Sequence, residues 1–235
     1  REGDHYVVNG AKMFITSGMR ADWYTVAVRT GGPGAAGVSL LGIKRDTPGF
    51  TRTELKKMGW WASDTAELHF DDCRVPASNL IGAEGQAFPL IMRNFNGERL
   101  TLAASACGAA QACLEDAVAW ARERKTFGQP LIAHQVIRHK LVDMAERIEA
   151  TRALIDDLAS RLDAGEQPVA QTAMAKNYAA RTMQFCADAA VQILGGSGYM
   201  RGVRVERIYR EVKVMMIGGG AEEVLKDLAA RQLGF

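Results

Sequence analysis

The chain has 235 residues, 48% of them hydrophobic, and a formal net charge of +2. That length supports one large or two smaller domains with a sizeable core, and the near balance of charge gives no global field toward nucleic acid or an anionic lipid surface. No run reaches the roughly 18 apolar residues of a membrane span, and the four cysteines, Cys73, Cys107, Cys113 and Cys186, form no CxxC pair, a usage that suits a reducing compartment and points to no zinc site.

Up to about residue 80 the chain reads as strands. His5-Tyr6-Val7-Val8 and Ala11-Lys12-Met13-Phe14-Ile15-Thr16 flank Asn9-Gly10, a pair that predicts a two-residue hairpin turn. Further strands are expected at 23–29, 38–44 and 66–70, the first two separated by Gly31-Gly32-Pro33-Gly34 and the last closed by Arg74-Val75-Pro76. No helix-length pattern lies between them, so the sheet is expected to be mostly antiparallel and barrel-like.

After about residue 84 the period becomes helical. The first helix is expected from near Gln86 to near Arg124, with small residues through its middle, Ala103 to Ala110. The second begins near Ile132 and carries Leu141, Met144, Ala145, Ile148, Ile155, Leu158 and Leu162 on one stripe, ending before Gly165. The third runs from Pro168 to about Leu194 and stops at Gly195-Gly196; the last follows Gly218-Gly219-Gly220. Long helices joined by short loops predict an antiparallel four-helix bundle. The fold class is therefore α+β, with an antiparallel β domain over 1–83 followed by a helical domain over 84–235. The histidines are scattered; His134 and His139, five apart, fall on different helix faces and make no metal-ligand pair.

One residue interrupts the pattern of the first helix. Phe88, Ile91, Phe95, Glu98, Leu102 and Ala106 follow one another at steps of three and four, so Glu98 sits on an apolar stripe. Burial of that face would raise its pKa and make it a usable base near neutral pH. The same position also fits a structural ion pair, so helix geometry alone leaves both readings open.

Longer motifs then point to a family. Phe14-Ile15-Thr16, Lys57-Met58-Gly59-Trp60, Ala62-Ser63-Asp64-Thr65-Ala66-Glu67-Leu68 and Arg74-Val75-Pro76 resemble the middle domain of acyl-CoA dehydrogenases. Arg122-Glu123-Arg124-Lys125-Thr126-Phe127-Gly128-Gln129 and Gln192-Ile193-Leu194-Gly195-Gly196-Ser197-Gly198-Tyr199 resemble their helical domain. The resemblance covers essentially the whole chain, which corresponds to the last two thirds of such an enzyme. The family's N-terminal helical domain and its Thr-Glu-Pro…Gly-Ser-Asp flavin segment have no counterpart in it.

The resemblance implies FAD as cofactor and an acyl-CoA thioester as substrate. A base takes the α-proton while a hydride leaves the β-carbon for flavin N5. It further implies an electron-transfer flavoprotein as partner, a homo-oligomer, by resemblance a tetramer, and a bacterial cytoplasmic or mitochondrial matrix location. Many members hold the base before the last helix, at the position of Gly219. A minority, of the isovaleryl and long-chain type, hold it on the first helix of the C-terminal domain just before an Arg; here that is Glu98 before Arg99. Glu222 and Glu223 are competing carboxylates whose alternative role is first-turn charge on the last helix. Gly219, with Gly218 beside it, is expected to offer an N–H to the thioester carbonyl. Phe14, Ile15 and Thr16 would pack and bond the isoalloxazine. Arg124 and Phe127 would reach the FAD of a neighbouring subunit, with Gln192, Gly195 and Gly196 cradling its adenosine end. Arg99 would orient the Glu98 region or contact CoA. Ala221 stands where the family usually has Thr, which removes one flavin hydrogen bond. An acyl-CoA oxidase or flavin monooxygenase on the same architecture, and a scaffold that kept the fold without the chemistry, remain alternatives at this level.

Overall fold

The computed structural model describes residues Arg1–Phe235. They form two compact units, Arg1–Asn94 and Phe95–Phe235. The division falls inside the first long helix. Ala87, at the start of that helix, is buried, and the Gly85 N–H just before it donates to Ser39 Oγ at 2.9 Å.

The first unit holds six strands: β1 (His5–Thr16), β2 (Trp23–Arg29), β3 (Val38–Lys44), β4 (Phe50–Glu54), β5 (Thr65–Pro76) and β6 (Leu80–Ile81). All pairings are antiparallel, as expected, and they make two three-stranded sheets, β1-β5-β4 and β2-β3-β6. Period-2 alternation puts Tyr6, Val8, Tyr24, Val26, Leu41, Ile43, Leu68 and Phe70 into one core shared by both sheets. Phe50 stacks on Phe70 and meets Tyr24 edge-on, both with ring centroids 4.9 Å apart.

The expected hairpin at Asn9-Gly10 does not form; β1 runs straight through it. Asn9 instead faces a bulge in β5, where Asp71 and Asp72 together oppose it between the pairs Val8↔Cys73 and Gly10↔Phe70. Asn9 Nδ2 donates to Asp72 Oδ1 (2.9 Å), and Asn9 Oδ1 accepts the Asp72 N–H (2.8 Å). The extra residue explains why the buried positions of β5 change phase, from Leu68 and Phe70 to Cys73 and Val75. A second bulge lies between Lys12↔Leu68 and Ile15↔Ala66, with the surplus on β1. There Phe14 adopts φ 62 and is 76% exposed.

The second unit is helical: α1 (Ala87–Glu123, whose first turns belong to the first unit), a short hairpin β7 (Lys125–Thr126) and β8 (Gln129–Pro130), α2 (Gln135–Asp163), α3 (Val169–Leu194), α4 (Arg204–Ile217) and α5 (Glu222–Leu233). Pro168 sits at the N-cap of α3, where its missing N–H costs nothing. The four-helix expectation missed α4. Its buried Val205, Ile208, Val212 and Met215 have helical spacing and its Glu206–Arg210 and Arg207–Glu211 pairs are four apart. Helix α3 packs against α2, α4 and α5. Its buried Ala173, Ala175, Ala179, Ala180, Ala187 and Ala190 let those neighbours approach closely. The cysteines are all free and buried; burial pushes the thiols of Cys113 and Cys186 up to about 12, so they serve as inert filling.

Candidate active site

The predicted stripe on α1 is not uniformly buried. Phe88, Phe95 and Glu98 are exposed, Ile91 and Leu102 half-buried, and Ala106 buried. Desolvation of Glu98 within the chain, which the stripe suggested, is thus absent. The buried residue of the pair is its neighbour. Arg99 is 7% exposed; its Nε donates to the Gly219 carbonyl at 3.1 Å and its Nη1 to Asn96 Oδ1 at 3.0 Å. Its guanidinium also lies 5.9 Å from the Phe95 ring centroid. Burial lowers the pKa of Arg99, opposed by the charge of Glu98. Arg99 therefore works inward as an anchor for the glycine turn.

That anchor ties the two positions that the sequence had paired. Gly219 has φ 70, and a Cβ there would stand 2.5 Å from Leu102 Cδ1. Leu102 is four residues after Glu98, on the same helix face. Only glycine meets both demands, the left-handed backbone and the close approach. Gly218 ends α4, its N–H bonded to the Val214 carbonyl at 2.7 Å. The N–H groups of Gly219, Gly220 and Ala221 reach no acceptor in the protein.

Three further residues hold this turn, and sequence reasoning missed them. Lys176 Nζ donates to the Gly220 carbonyl at 2.9 Å, Asn177 Nδ2 to the Glu222 carbonyl at 3.0 Å, and Arg181 pairs with the Glu222 carboxylate. Lys176 is 1% exposed, and burial brings its pKa down to about 8. Arg181 and then Lys226 hold Glu222 at about 2, so Glu222 is an anchored first-turn acid of α5 and not a candidate base. The available signal was a lone Lys-Asn pair within an otherwise small and apolar stretch, Ala173-Met174-Ala175-Lys176-Asn177.

A second group converges at the other end of α1. Arg124, Gly195 and Gly196 line a groove of about 580 Å³ with Trp120, Leu131 and Met200. A Cβ at either glycine would meet no atom within 4 Å, so the groove wall there is bare backbone. Gln192 is exposed but does not line the groove. Phe127 lies at the tip of the β7–β8 hairpin, where Phe127 (φ 50) and Gly128 (φ 80) form a two-residue turn with positive φ at both positions. It is 97% exposed, its ring meeting only His134 edge-on at 6.2 Å. His134 braces the hairpin through Thr126 Oγ1, 3.1 Å away.

In the first unit, Ile15 and Thr16 line a groove of about 470 Å³ together with Trp23 and Tyr24. Phe14 stands outside it on the second bulge of β1.

Comparison with known proteins agrees along the whole length. The family model for the acyl-CoA dehydrogenase middle domain matches residues 1–73, and that for the C-terminal domain matches residues 85–234. The mitochondrial isobutyryl-CoA dehydrogenase of Dictyostelium discoideum is 41% identical over 99% of this chain, which spans 57% of that protein. The crystal structure of an acyl-CoA dehydrogenase from Geobacillus kaustophilus superposes with a TM-score of 0.97 at 39% identity, covering 100% of this chain and 63% of that one. Butyryl-CoA dehydrogenase from Megasphaera elsdenii gives 0.94 at 38% identity, over 100% and 62%.

Proposed function

The chain belongs to the acyl-CoA dehydrogenase family, and from that membership we propose that it supplies the base, the carbonyl donor and much of the FAD site for α,β-dehydrogenation of an acyl-CoA thioester. The observation that carries this is the docking of the Gly219 turn on α1 one turn beyond Glu98. Glu98 takes the α-proton. The Gly219 N–H, which has no partner in the protein, donates to the thioester oxygen as it gains enolate character. Exposure of Glu98 in this chain makes its desolvation the work of bound substrate and of whatever else closes over that face.

The residues present fit FAD. The groove at Arg124 offers a guanidinium for a pyrophosphate, bare backbone at Gly195 and Gly196, and apolar walls at Trp120 and Met200. Phe127 and Phe14 present largely exposed aromatic rings. Bound FAD supplies the hydride acceptor. Phe14, Ile15 and Thr16 hold its ring, Arg124 and Phe127 reach the cofactor of a neighbouring copy, and Gln192, Gly195 and Gly196 receive its adenosine end. That sharing makes the protein a homo-oligomer, with an electron-transfer flavoprotein as acceptor. No helix is long and apolar enough to cross a membrane.

The test is Glu98→Gln in the holoenzyme. FAD stays bound, while anaerobic bleaching of the flavin by acyl-CoA slows by at least about a hundredfold. Bleaching at the parental rate removes Glu98 as the base. Rapid peroxide formation by substrate-reduced parental enzyme in air would favour an oxidase.

A further inference from the structure

Helix α3 is built from alanines and is largely buried, yet Lys176 sits in its middle, 1% exposed. Taking an ammonium out of water costs several kcal/mol unless partners offset it, and a methionine would fill a similar volume with no such cost. The group it binds gives the reason. Arg99 holds the carbonyl of Gly219 and Lys176 holds that of Gly220, so two cations from two helices fix consecutive peptide planes. In a trans peptide the C=O and the next N–H point in opposite directions. Each bond therefore turns the following N–H, of Gly220 or of Ala221, away from the cation. A glycine turn without such anchors visits both signs of φ at similar energy; here Gly219 and Gly220 are fixed at φ 70 and φ 112. Asn177 and Arg181 hold the start of α5 separately, so loss of Lys176 would free the Gly220 plane and leave the helix in place.

We propose that Lys176 is a positioning residue: by fixing the Gly220 peptide plane, beside the Gly219 plane that Arg99 holds, it keeps the glycine turn in the one conformation from which the Gly219 N–H reaches the thioester carbonyl. This rests on the reading of that turn given above. Two measurements on holoenzyme carrying Lys176→Met or Lys176→Arg decide it. Amide hydrogen exchange over residues 218–222 reports the turn without any acyl ligand. The C=O stretch of a bound, carbonyl-labelled acyl-CoA reports polarisation.

The Met variant is expected to exchange the Gly218 amide, bonded to the Val214 carbonyl at the entry to the turn, at least about tenfold faster as the turn loosens, the effect of losing a charged hydrogen bond. Its bound carbonyl moves back toward the free frequency, and kcat falls with KM nearly unchanged. The Arg variant recovers part of each. Unchanged exchange overturns the clamp. Faster exchange with the parental carbonyl frequency makes Lys176 merely structural and overturns its positioning role. Lys176→Gln, which keeps a donor on a shorter stem, gives the same readouts should the Met variant not fold. A parental holoenzyme that binds no thioester refutes the reading of the site itself, which the exchange data alone would not.

Discussion

Gly219 has a side chain's worth of space taken by Leu102, and its backbone lies where L-residues are strained. Gly219→Ala is accordingly expected to destabilise the chain by about 1–3 kcal/mol, read as a lowered urea midpoint. In a Leu102→Ala background the steric part disappears and the cost falls to about 1 kcal/mol. Equal costs in both backgrounds would show that Leu102 does not confine the turn. The same argument limits any attempt to move the base to Gly219, since glutamate there meets both obstacles. Glu222 illustrates a different control. Its carboxyl, held at about 2 by Arg181 and Lys226, lies below the ordinary 4.5. The charged form is the one the fold stabilises, so the contribution is complete above pH 4.5 and is lost as pH falls through about 2. Glu222→Gln should lower stability at pH 7 by about 1 kcal/mol, modest because Arg181 is half in water. The gap from the parent should close in thermal melts taken from pH 5 toward pH 2; a gap independent of pH would dismiss the ion pairs as its cause.

Among the elements, the β7–β8 hairpin runs against local preference. A two-residue turn with both φ values positive favours Asn-Gly, and here it carries Phe127-Gly128. Phe127 is almost wholly exposed, so it gains little from packing in return for its backbone strain. Phe127→Asn is predicted to stabilise the chain by about 1 kcal/mol and to weaken FAD retention by about tenfold, the size of one aromatic stacking contact. Melting temperature and flavin release separate the two effects; a variant that gains stability and keeps FAD would remove Phe127 from the cofactor site. The second bulge of β1 follows the same logic, placing an exposed aromatic, Phe14, at φ 62. Strained, exposed aromatics in two separate elements are disfavoured by folding alone, which supports the proposed cofactor contacts.

For the whole molecule, two units with their own cores carry proposed site residues that remain exposed: Phe14 and Thr16 in one, Glu98, Arg124, Phe127 and Gln192 in the other. If Arg124 and Phe127 serve a neighbouring copy's cofactor, FAD affinity must depend on protein concentration through mass action. Dilution is expected to release FAD in step with dissociation of the oligomer, followed by flavin fluorescence and sedimentation on the same samples. Release independent of concentration would confine the cofactor to one chain.

Much of this architecture is legible in the chain. Alternating apolar residues mark β2 and β3, three- and four-step spacing marks α1, α2 and α3, and Pro168 and Gly165 mark helix limits, because burial of one face dictates those periods. The ordered motifs around Phe14, Lys57, Arg124 and Gln192 identify the family. Local signals misled where a distant partner intervened. Asn9-Gly10 reads as a turn, but the bulge at Asp72 supplies the partners that keep it in a strand. Only the tertiary structure decided that Arg99, and not Glu98, is the buried member of the pair, and that Lys176, far along the chain, meets it at the glycine turn. Burial of a particular side chain depends on which elements pack over it, and carbonyl anchoring on contacts more than forty residues apart, neither of which a local pattern encodes.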